Sequence, residues 1–469
     1  MKVRNGILIL ITITLIMVLF GCGGEEDFGD DIILHTKWLF PLGVAVPGAG
    51  TVNVNGGAGA NNALLPGNPQ NRLLRHFNVL VAENEMKPDA IMPTSRPTID
   101  YTKGEEGVEY NFAAWKANYR WENADALVEY AEANNQRVRG HTLFWHAQTP
   151  QWFFQNNSGE LLNLEQLYLH MELHIKTIFE RYGNRIDTWD VFNEVILHDN
   201  PSGQTGLRRG PNNNIFPVNP DNNFKELSWY TRIIENAGKT GDDRNEFILF
   251  AFEKARYWAG VYTEEGDPVQ LYLTDFGVER PFYRGEAEPG PNRTSKQQDF
   301  YDLARWLVDK NAPIDGIGFQ GHFRLYDHPV DGPACLDNCV APTPCNNDNC
   351  VRHIRGGIVK FSYLGLKIQV CELDFSIFSG AKGEGDLDIM PSGNLNQRLN
   401  DLADTYLAFF EMFEYFFNEG VLDMVLIWGL ADGHSWLNKH PRPNRTDYPL
   451  LFDRNYRPKQ AYFRLTENR

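Results

Sequence analysis

Eight short apolar runs recur along the chain, separated by polar loops and by segments with helical periodicity. They cover residues 42–46, 77–82, 137–143, 186–192, 270–275, 316–320, 366–371 and 424–429. Within these runs apolar residues are largely continuous rather than alternating with polar ones. That pattern is typical of parallel strands buried on both faces, which must be joined through helical crossovers.

The segments between the runs repeat apolar residues at three- and four-residue intervals, which predicts helices. The clearest are residues 124–134, 164–181, 247–258, 297–309 and 396–417. Eight strand–helix units predict an α/β fold, specifically a (β/α)8 TIM barrel. Such barrels carry their chemistry on loops after the strands, so we expect extended loops and functional side chains at the C-terminal face.

The N-terminus has the features of an export signal. Lys2 and Arg4 precede an apolar stretch over residues 6–20, and Leu19-Phe20-Gly21 leads into Cys22. This arrangement predicts a lipoprotein signal peptide at residues 1–21 and lipidation of Cys22, with an ordinary cleaved signal or an uncleaved anchor as alternatives. Residues 22–36 are predicted to form a flexible acidic tether. The expected location is therefore the bacterial envelope, at the cell surface or outer membrane.

The charge balance restricts the possible partners. The chain has 44 basic and 61 acidic residues, a net charge of −17. Nucleic acid binding needs cationic surface to neutralise phosphates, so a nucleic acid partner is excluded. Repulsion from anionic lipid leaves the N-terminal lipid as the expected contact with a membrane.

Four cysteines crowd into a loop insertion at residues 329–351: Cys335, Cys339, Cys345 and Cys350. Their spacing lacks the paired C-x-x-C knuckles of common zinc sites. Because an exported chain meets oxidising conditions, we expect two disulfides rather than a metal, with the pairing left open. No metal site is predicted elsewhere.

Two glutamates stand at the ends of apolar runs. Glu194 follows the fourth run and Glu372 the seventh, and these strands face each other across an eight-stranded barrel. Glycoside hydrolysis requires such a pair, one carboxyl protonated and the other ionised. Structural ion pairs are the alternative, but two glutamates so placed in one barrel favour catalysis.

Several segments, in order, resemble glycoside hydrolase family 10, a family of retaining endo-β-1,4-xylanases on (β/α)8 barrels. They include ENEMK at 83–87, RGHTLFWH at 139–146, WDVFNE at 189–194, DGIGFQGH at 315–322 and CELD at 371–374. The resemblance extends from about residue 39 to 463, which implies a single catalytic domain over residues 37–469.

The resemblance implies a role for each matching residue. Glu194 resembles the general acid/base, with a raised pKa, and Glu372 the nucleophile, about 5–5.5 Å away. His322 and Asp374 resemble supports of the nucleophile, and His322 also resembles a substrate contact. The remaining matches imply substrate contacts: Glu83, Asn84 and Lys87 in a polar wall, His141, Trp145 and His146 on the floor, Asn193 and Gln320 at the centre, and Trp428 and Trp436 as an aromatic platform.

The implied activity is that of a retaining endo-1,4-β-xylanase, which hydrolyses internal bonds of xylan by double displacement through a covalent glycosyl-enzyme. Xylan or xylo-oligosaccharides are the expected partners, with no cofactor, and the chain is expected to be a monomer. Alternatives are a hydrolase of xylo-oligosaccharides or mixed β-glucans in the same family, or an inactive surface sugar-binding lipoprotein. Departures from the family pattern occur at Pro88, Thr274 and Cys371, and loop insertions are expected at 46–70, 88–110 and 329–351.

Overall fold

Eight parallel strands form the central sheet, and the eighth pairs with both the seventh and the first, which closes a barrel. The strands are β1 (Leu42–Val46), β2 (Val79–Ala82), β3 (Arg137–Gly140), β4 (Thr188–Asn193), β5 (Gln270–Asp275), β6 (Gly316–Phe319), β7 (Lys367–Ser376) and β8 (Leu422–Ile427). Each neighbouring pair is parallel. The predicted (β/α)8 TIM barrel is confirmed.

The computed structural model describes residues 32–48, 63–197, 206–208, 227–263, 268–280, 295–325, 354–380, 388–389, 395–440 and 445–467. The predicted signal peptide, Cys22, most of the tether and the four clustered cysteines lie outside these residues. Ile33–Arg469 forms one compact unit. No helix in the described part of the chain combines the length and apolar character needed to cross a bilayer.

The described helices are α1 (Pro88–Ile91), α2 (Gly107–Lys116), α3 (Glu122–Ala133), α4 (Leu164–Tyr182), α5 (Trp229–Asn236), α6 (Glu246–Tyr262), α7 (Lys296–Asp309), α8 (Ile354–Ser362), α9 (Leu395–Asn418) and α10 (Gln460–Thr466). The five predicted helices correspond to α3, α4, α6, α7 and α9. The segment 88–110, expected as a loop insertion, instead contains α1 and the start of α2. Phe112 and Trp115 of α2 are buried in the core, which explains why this segment is helical.

Alternate residues of the strands pack into two separate apolar clusters. Val44 and Leu80 belong to the large cluster between strands and helices. Ala45 and Val81, one position further on, belong to a small cluster with Cys371. Since neighbouring residues of a strand point to opposite faces, the small cluster fills the inside of the ring.

A buried ion pair joins β3 to β4 inside the barrel. Arg139 donates to both oxygens of Asp190, at 2.6 Å and 2.5 Å, and neither side chain is exposed. Beside it, a Cβ on Gly140 would lie 2.2 Å from the ring of Trp189, so only glycine fits there. Trp189 is fully buried in the large apolar cluster.

Short strands extend the sheet toward the C-terminal face. Phe144–Trp145 pairs with β4, and His322–Arg324 runs parallel to the end of β7, with His322 opposite Asp374. Ser379–Gly380 and Asp388–Ile389 form a separate antiparallel pair. The first two extensions carry side chains of the predicted site beyond the ends of the barrel strands.

Candidate active site

Glu194 and Glu372 converge on Gln320, which follows β6. The side-chain Nε2 of Gln320 donates to Oε1 of Glu194 at 3.0 Å. The backbone carbonyl of Gln320 accepts from the amide of Glu372 at 2.8 Å. Glu194 directly follows β4, whereas Glu372 lies within β7, which continues to Ser376. One residue therefore links both predicted catalytic positions.

A histidine lies between Glu372 and a second carboxylate. His322 Nε2 donates to Glu372 Oε2 at 3.1 Å, and its Nδ1 lies 3.0 Å from Oδ2 of Asp374. Burial alone would lower the pKa of His322, but the two carboxylates outweigh burial and raise the pKa to about 10. The group is therefore an imidazolium at neutral pH. Trp436 Nε1 donates to Asp374 at 2.8 Å, so the line of contacts that runs from Glu372 through His322 to Asp374 ends at Trp436.

His141 approaches Glu372 from the opposite side. Its Nδ1 donates to Asp190 at 2.8 Å, which turns Nε2 toward Glu372 Oε1 at 4.0 Å. Asp190 is also held by Arg139 and by the hydroxyl of Thr274. Burial acts to raise the pKa of Asp190, but the charge of Arg139 and the bond from His141 lower it.

Arg139 and Asp190 were not among the predicted site residues, although the sequence contained a signal. Both are charged residues inside apolar runs, and the two runs are consecutive. A buried charge requires a partner, and consecutive strands of a barrel are neighbours. Opposite charges in neighbouring buried strands therefore indicate an ion pair.

The backbone of Glu194 adopts a conformation that is rare for residues other than glycine, with φ of 58°. Its amide donates to the carbonyl of Thr274 at 2.8 Å, and its own carbonyl accepts from Nε of Arg208 at 2.6 Å. Such conformations persist where surrounding contacts determine them, and they concentrate at functional sites.

The carboxylate of Glu194 is more acidic than expected from the sequence. Trp145 Nε1 donates to Oε2 at 3.1 Å, and Arg208 Nη2 lies 3.5 Å from the same oxygen. Burial acts to raise the pKa, but the charges of Arg208 and His146 and the bond from Gln320 lower it to about 2. The expectation of a raised pKa is wrong for the free protein, because the sequence alone does not place the charge of Arg208 beside Glu194.

The polar wall predicted after β2 connects to the aromatic floor. Lys87 donates to Oδ1 of Asn84 at 3.1 Å and lies 4.8 Å from the centre of the Trp145 ring. Burial, together with Glu85 and Glu372, raises the pKa of Glu83 to about 7, while Lys87 opposes this shift. The wall thus presents both donors and acceptors of hydrogen bonds.

Trp428 and Trp436 lie against the two histidines of the site. Trp428 meets His141 edge-on, with ring centres 5.6 Å apart, and Trp436 meets His322 at 4.8 Å. These contacts hold both indoles beside Glu372. The two tryptophans and the nucleophile candidate therefore share one wall of the site.

Asn193 and His146 lie on the side of Glu194. The Oδ1 of Asn193, which is buried, accepts from Gln320 Nε2 at 3.1 Å. His146 lines a small pocket together with Glu194, Arg208 and Tyr230. All the predicted substrate contacts are thus distributed around the two glutamates, and Arg208 joins them. Within the described residues, no group of three or more His, Cys, Asp or Glu side chains could hold a metal ion.

A pair of carboxylates at the C-terminal end of a (β/α)8 barrel, with hydrogen-bonding and aromatic walls, defines a glycoside hydrolase. The chain belongs to glycosyl hydrolase family 10, whose family model matches residues 51–468.

Similar proteins agree with this membership. An endo-1,4-beta-xylanase of Halalkalibacterium halodurans is 32% identical over 430 residues, which cover 88% of this chain and 83% of that protein. Endo-1,4-beta-xylanase C of Paenibacillus barcinonensis is 35% identical over 416 residues, which cover 88% of this chain but only 30% of that protein. A solved family 10 structure from Paenibacillus barcinonensis has a TM-score of 0.66 at 33% identity and covers 93% of this chain and 97% of its own.

Proposed function

We propose that this protein is a retaining endo-1,4-β-xylanase. The observation that carries the proposal is the bridge made by Gln320, which contacts the carboxylate of Glu194 and the backbone of Glu372. The two glutamates have different surroundings, and acid/base and nucleophile roles require such a difference. The names of the related proteins support xylan as the substrate.

In the first step, Glu372 attacks the anomeric carbon while Glu194 gives a proton to the departing glycosidic oxygen. The C–O bond to the leaving sugar breaks as the bond to Glu372 forms. The imidazolium of His322 stabilises the charge of Glu372 before attack and holds one of its oxygens in place. The other oxygen, Oε1, is free of hydrogen bonds from described residues and is available for attack.

In the second step, water replaces Glu372 at the anomeric carbon, and Glu194 accepts the proton of that water. The lowered pKa of Glu194 means that this carboxylate is ionised, which is the form that can accept the proton. For the first step Glu194 must take up a proton when the substrate excludes water from the site. Retention by this route predicts a separation of about 5–5.5 Å between the two carboxyl groups.

The walls of the site favour xylose over glucose. Trp428 and Trp436 flank Glu372 and would crowd a 5-hydroxymethyl group, while Lys87 and Asn84 can bind ring hydroxyls.

A hydrolase of xylo-oligosaccharides or mixed β-glucans is the second candidate. The helical segment after β2 follows a barrel strand at its C-terminal end, where it would narrow the cleft and shorten the bound substrate. The insertion predicted at 329–351 lies outside the described residues. An inactive sugar-binding protein is disfavoured, because a pure binder has no need for two carboxylates held in different environments.

Defined xylo-oligosaccharides and cello-oligosaccharides, with anomeric products followed by NMR, test the proposal. We expect internal cleavage of the xylo-oligomers, with the β-anomer as first product. An α-anomer would exclude retention, and preferential release of single terminal sugars or faster cleavage of cello-oligomers would favour the second candidate.

We also propose that the protein is exported and held on the bacterial envelope through lipid on Cys22. The apolar stretch before Cys22 and the acidic residues after it support this. Labelled palmitate should enter the wild-type protein but not Cys22→Ser, which should leave the membrane fraction. Equal labelling of both would exclude this lipid site.

For the clustered cysteines we propose two disulfides in the loop. Alkylation of the unfolded protein before and after reduction should differ by four added groups on Cys335, Cys339, Cys345 and Cys350. Full alkylation without reduction would show free thiols.

A further inference from the structure

A buried arginine contacts both the main chain and the side chain of the proposed acid/base. Arg208 has a relative exposure of 3%. Its Nε donates to the backbone carbonyl of Glu194 at 2.6 Å, and its Nη2 lies 3.5 Å from the carboxylate oxygen Oε2. The proposed two-step reaction assigns no role to this residue.

The position of Arg208 is set by its backbone. Its amide donates to the carbonyl of Val195 at 2.8 Å, and Leu197 donates to the carbonyl of Gly206 at 2.9 Å. These bonds frame an antiparallel bridge between Ile196 and Leu207. The segment carrying Arg208 is therefore attached directly to the residues that follow Glu194.

The other side of this segment is fixed to β5. Asp275 accepts from the amide of Ile196 at 3.0 Å and from Lys296 at 2.7 Å, and Asp275 and Lys296 are fully buried. Glu194, which has a positive φ, is thus followed by Val195 and Ile196, whose backbone groups are bonded to Arg208 and Asp275. The guanidinium of Arg208 is held against the carboxylate rather than reaching it from a free loop.

We infer that Arg208 is a positioning residue for Glu194: it fixes the direction of the carboxylate, favours its ionised form and thereby sets the alkaline limit of the proton-donating step. This inference rests on the proposed function and deepens it. An ion pair stabilises the charged form of a carboxyl group, whereas the first step needs the protonated form.

Charged and polar groups face Glu194 from several strands of the barrel. They are Lys87 after β2, Trp145 and His146 after β3, Asp275 at the end of β5, Gln320 after β6 and Lys296 at the start of α7. Arg208 has the largest lowering effect of these on the pKa of Glu194. Removal of the Arg208 charge should therefore raise the pKa of Glu194 by a measurable amount.

The test compares Arg208→Met and Arg208→Lys with the wild type. Arg137→Met is the matched control, because Arg137 pairs with Asp187 at 2.6 Å at the exposed start of β3. The pH dependence of kcat and of kcat/KM is measured on xylotetraose and on an aryl β-xylobioside whose leaving group needs no acid. Thermal unfolding establishes that each variant is folded.

For xylotetraose, we expect Arg208→Met to move the alkaline limb of kcat upward by about one pH unit, because kcat reports groups of the enzyme–substrate complex, in which Glu194 must hold its proton. In Arg208→Lys the alkaline limb should lie close to its wild-type position, and in Arg137→Met it should not shift. On the aryl substrate, kcat/KM should change less than about threefold. An unmoved limb, or equal losses on both substrates, would overturn the inference.

A direct titration separates this inference from the proposed function. The protein is labelled with ¹³C at the glutamate side-chain carboxyl, and Glu194→Gln identifies the signal of Glu194. In Arg208→Met this signal should titrate at higher pH than in the wild type. If xylotetraose is not cleaved, the proposed function fails, while the titration still shows whether Arg208 lowers the pKa of Glu194. An unchanged titration overturns the inference alone.

Discussion

His322 and Glu372 form a hydrogen bond of 3.1 Å between Nε2 and Oε2. Asp374 holds the other nitrogen of the same ring. The imidazolium charge of His322 therefore contributes to the stability of the folded protein.

Because the pKa of His322 is raised from 6.5 to about 10, its charge stabilises the fold fully below about pH 6.5, and this contribution is lost as pH rises toward 10. Urea unfolding of the wild type and His322→Gln should differ by a few kcal/mol near pH 6, and the difference should shrink by pH 10. His76→Gln is the control, because the pKa of His76 is lowered to about 4 and its pH dependence has the opposite sign. A difference independent of pH would contradict a charged His322.

Glu372→Ala should abolish turnover, with a loss on the order of 10⁴-fold or more, because it removes the carboxylate that is proposed to form the glycosyl-enzyme. Added azide or formate should restore part of the activity and give an inverted product, which NMR detects. Glu180→Ala, which breaks an exposed pair with Lys116, is the control. Undiminished hydrolysis of xylan by Glu372→Ala would end the assignment.

Glu194→Ala should lower kcat/KM on xylotetraose by about 10²–10⁴-fold, since the natural leaving group needs a proton. On an aryl glycoside with a good leaving group, the first step should be almost unchanged and a burst of the released phenol should appear. Stopped-flow absorbance measures this burst. Equal losses on the two substrates would show that Glu194 is not the acid.

Trp428→Ala should relax discrimination against glucosides, because it opens the wall beside His141 where a hydroxymethyl group would fall. The ratio of kcat/KM for aryl xylobioside to that for aryl cellobioside should drop by roughly tenfold. Trp306→Ala on α7, away from the site, should leave the ratio unchanged. An unaltered ratio in Trp428→Ala would remove this residue from sugar selection.

The parts of the protein that depend on periodicity were predictable from sequence. The continuous apolar runs identified every barrel strand, and the positions of Glu194 and Glu372 relative to those runs placed both at the same end of the ring. The end of β7 was less predictable. Its last residues alternate polar and apolar side chains and pair with the short strand at His322, so the strand continues beyond the apolar run to Ser376.

Features that depend on neighbours distant in sequence were not predictable. Arg208 lies in a stretch rich in Gly, Asn and Pro without strand or helix periodicity. Its contact with Glu194 arises from the bridge between Ile196 and Leu207. The lowered pKa of Glu194 follows from that contact, so the sequence alone suggested the opposite direction.

The closure of the barrel by pairing β8 with β1 makes enzymatic activity a direct measure of complete folding. A fragment ending after β4 would contain Glu194 and the residues of the polar wall, but neither Glu372 nor its partner His322. A chain folded only as far as β4 should therefore be inactive. During refolding, the recovered fraction of activity should equal the fraction of molecules whose first and last strands have met.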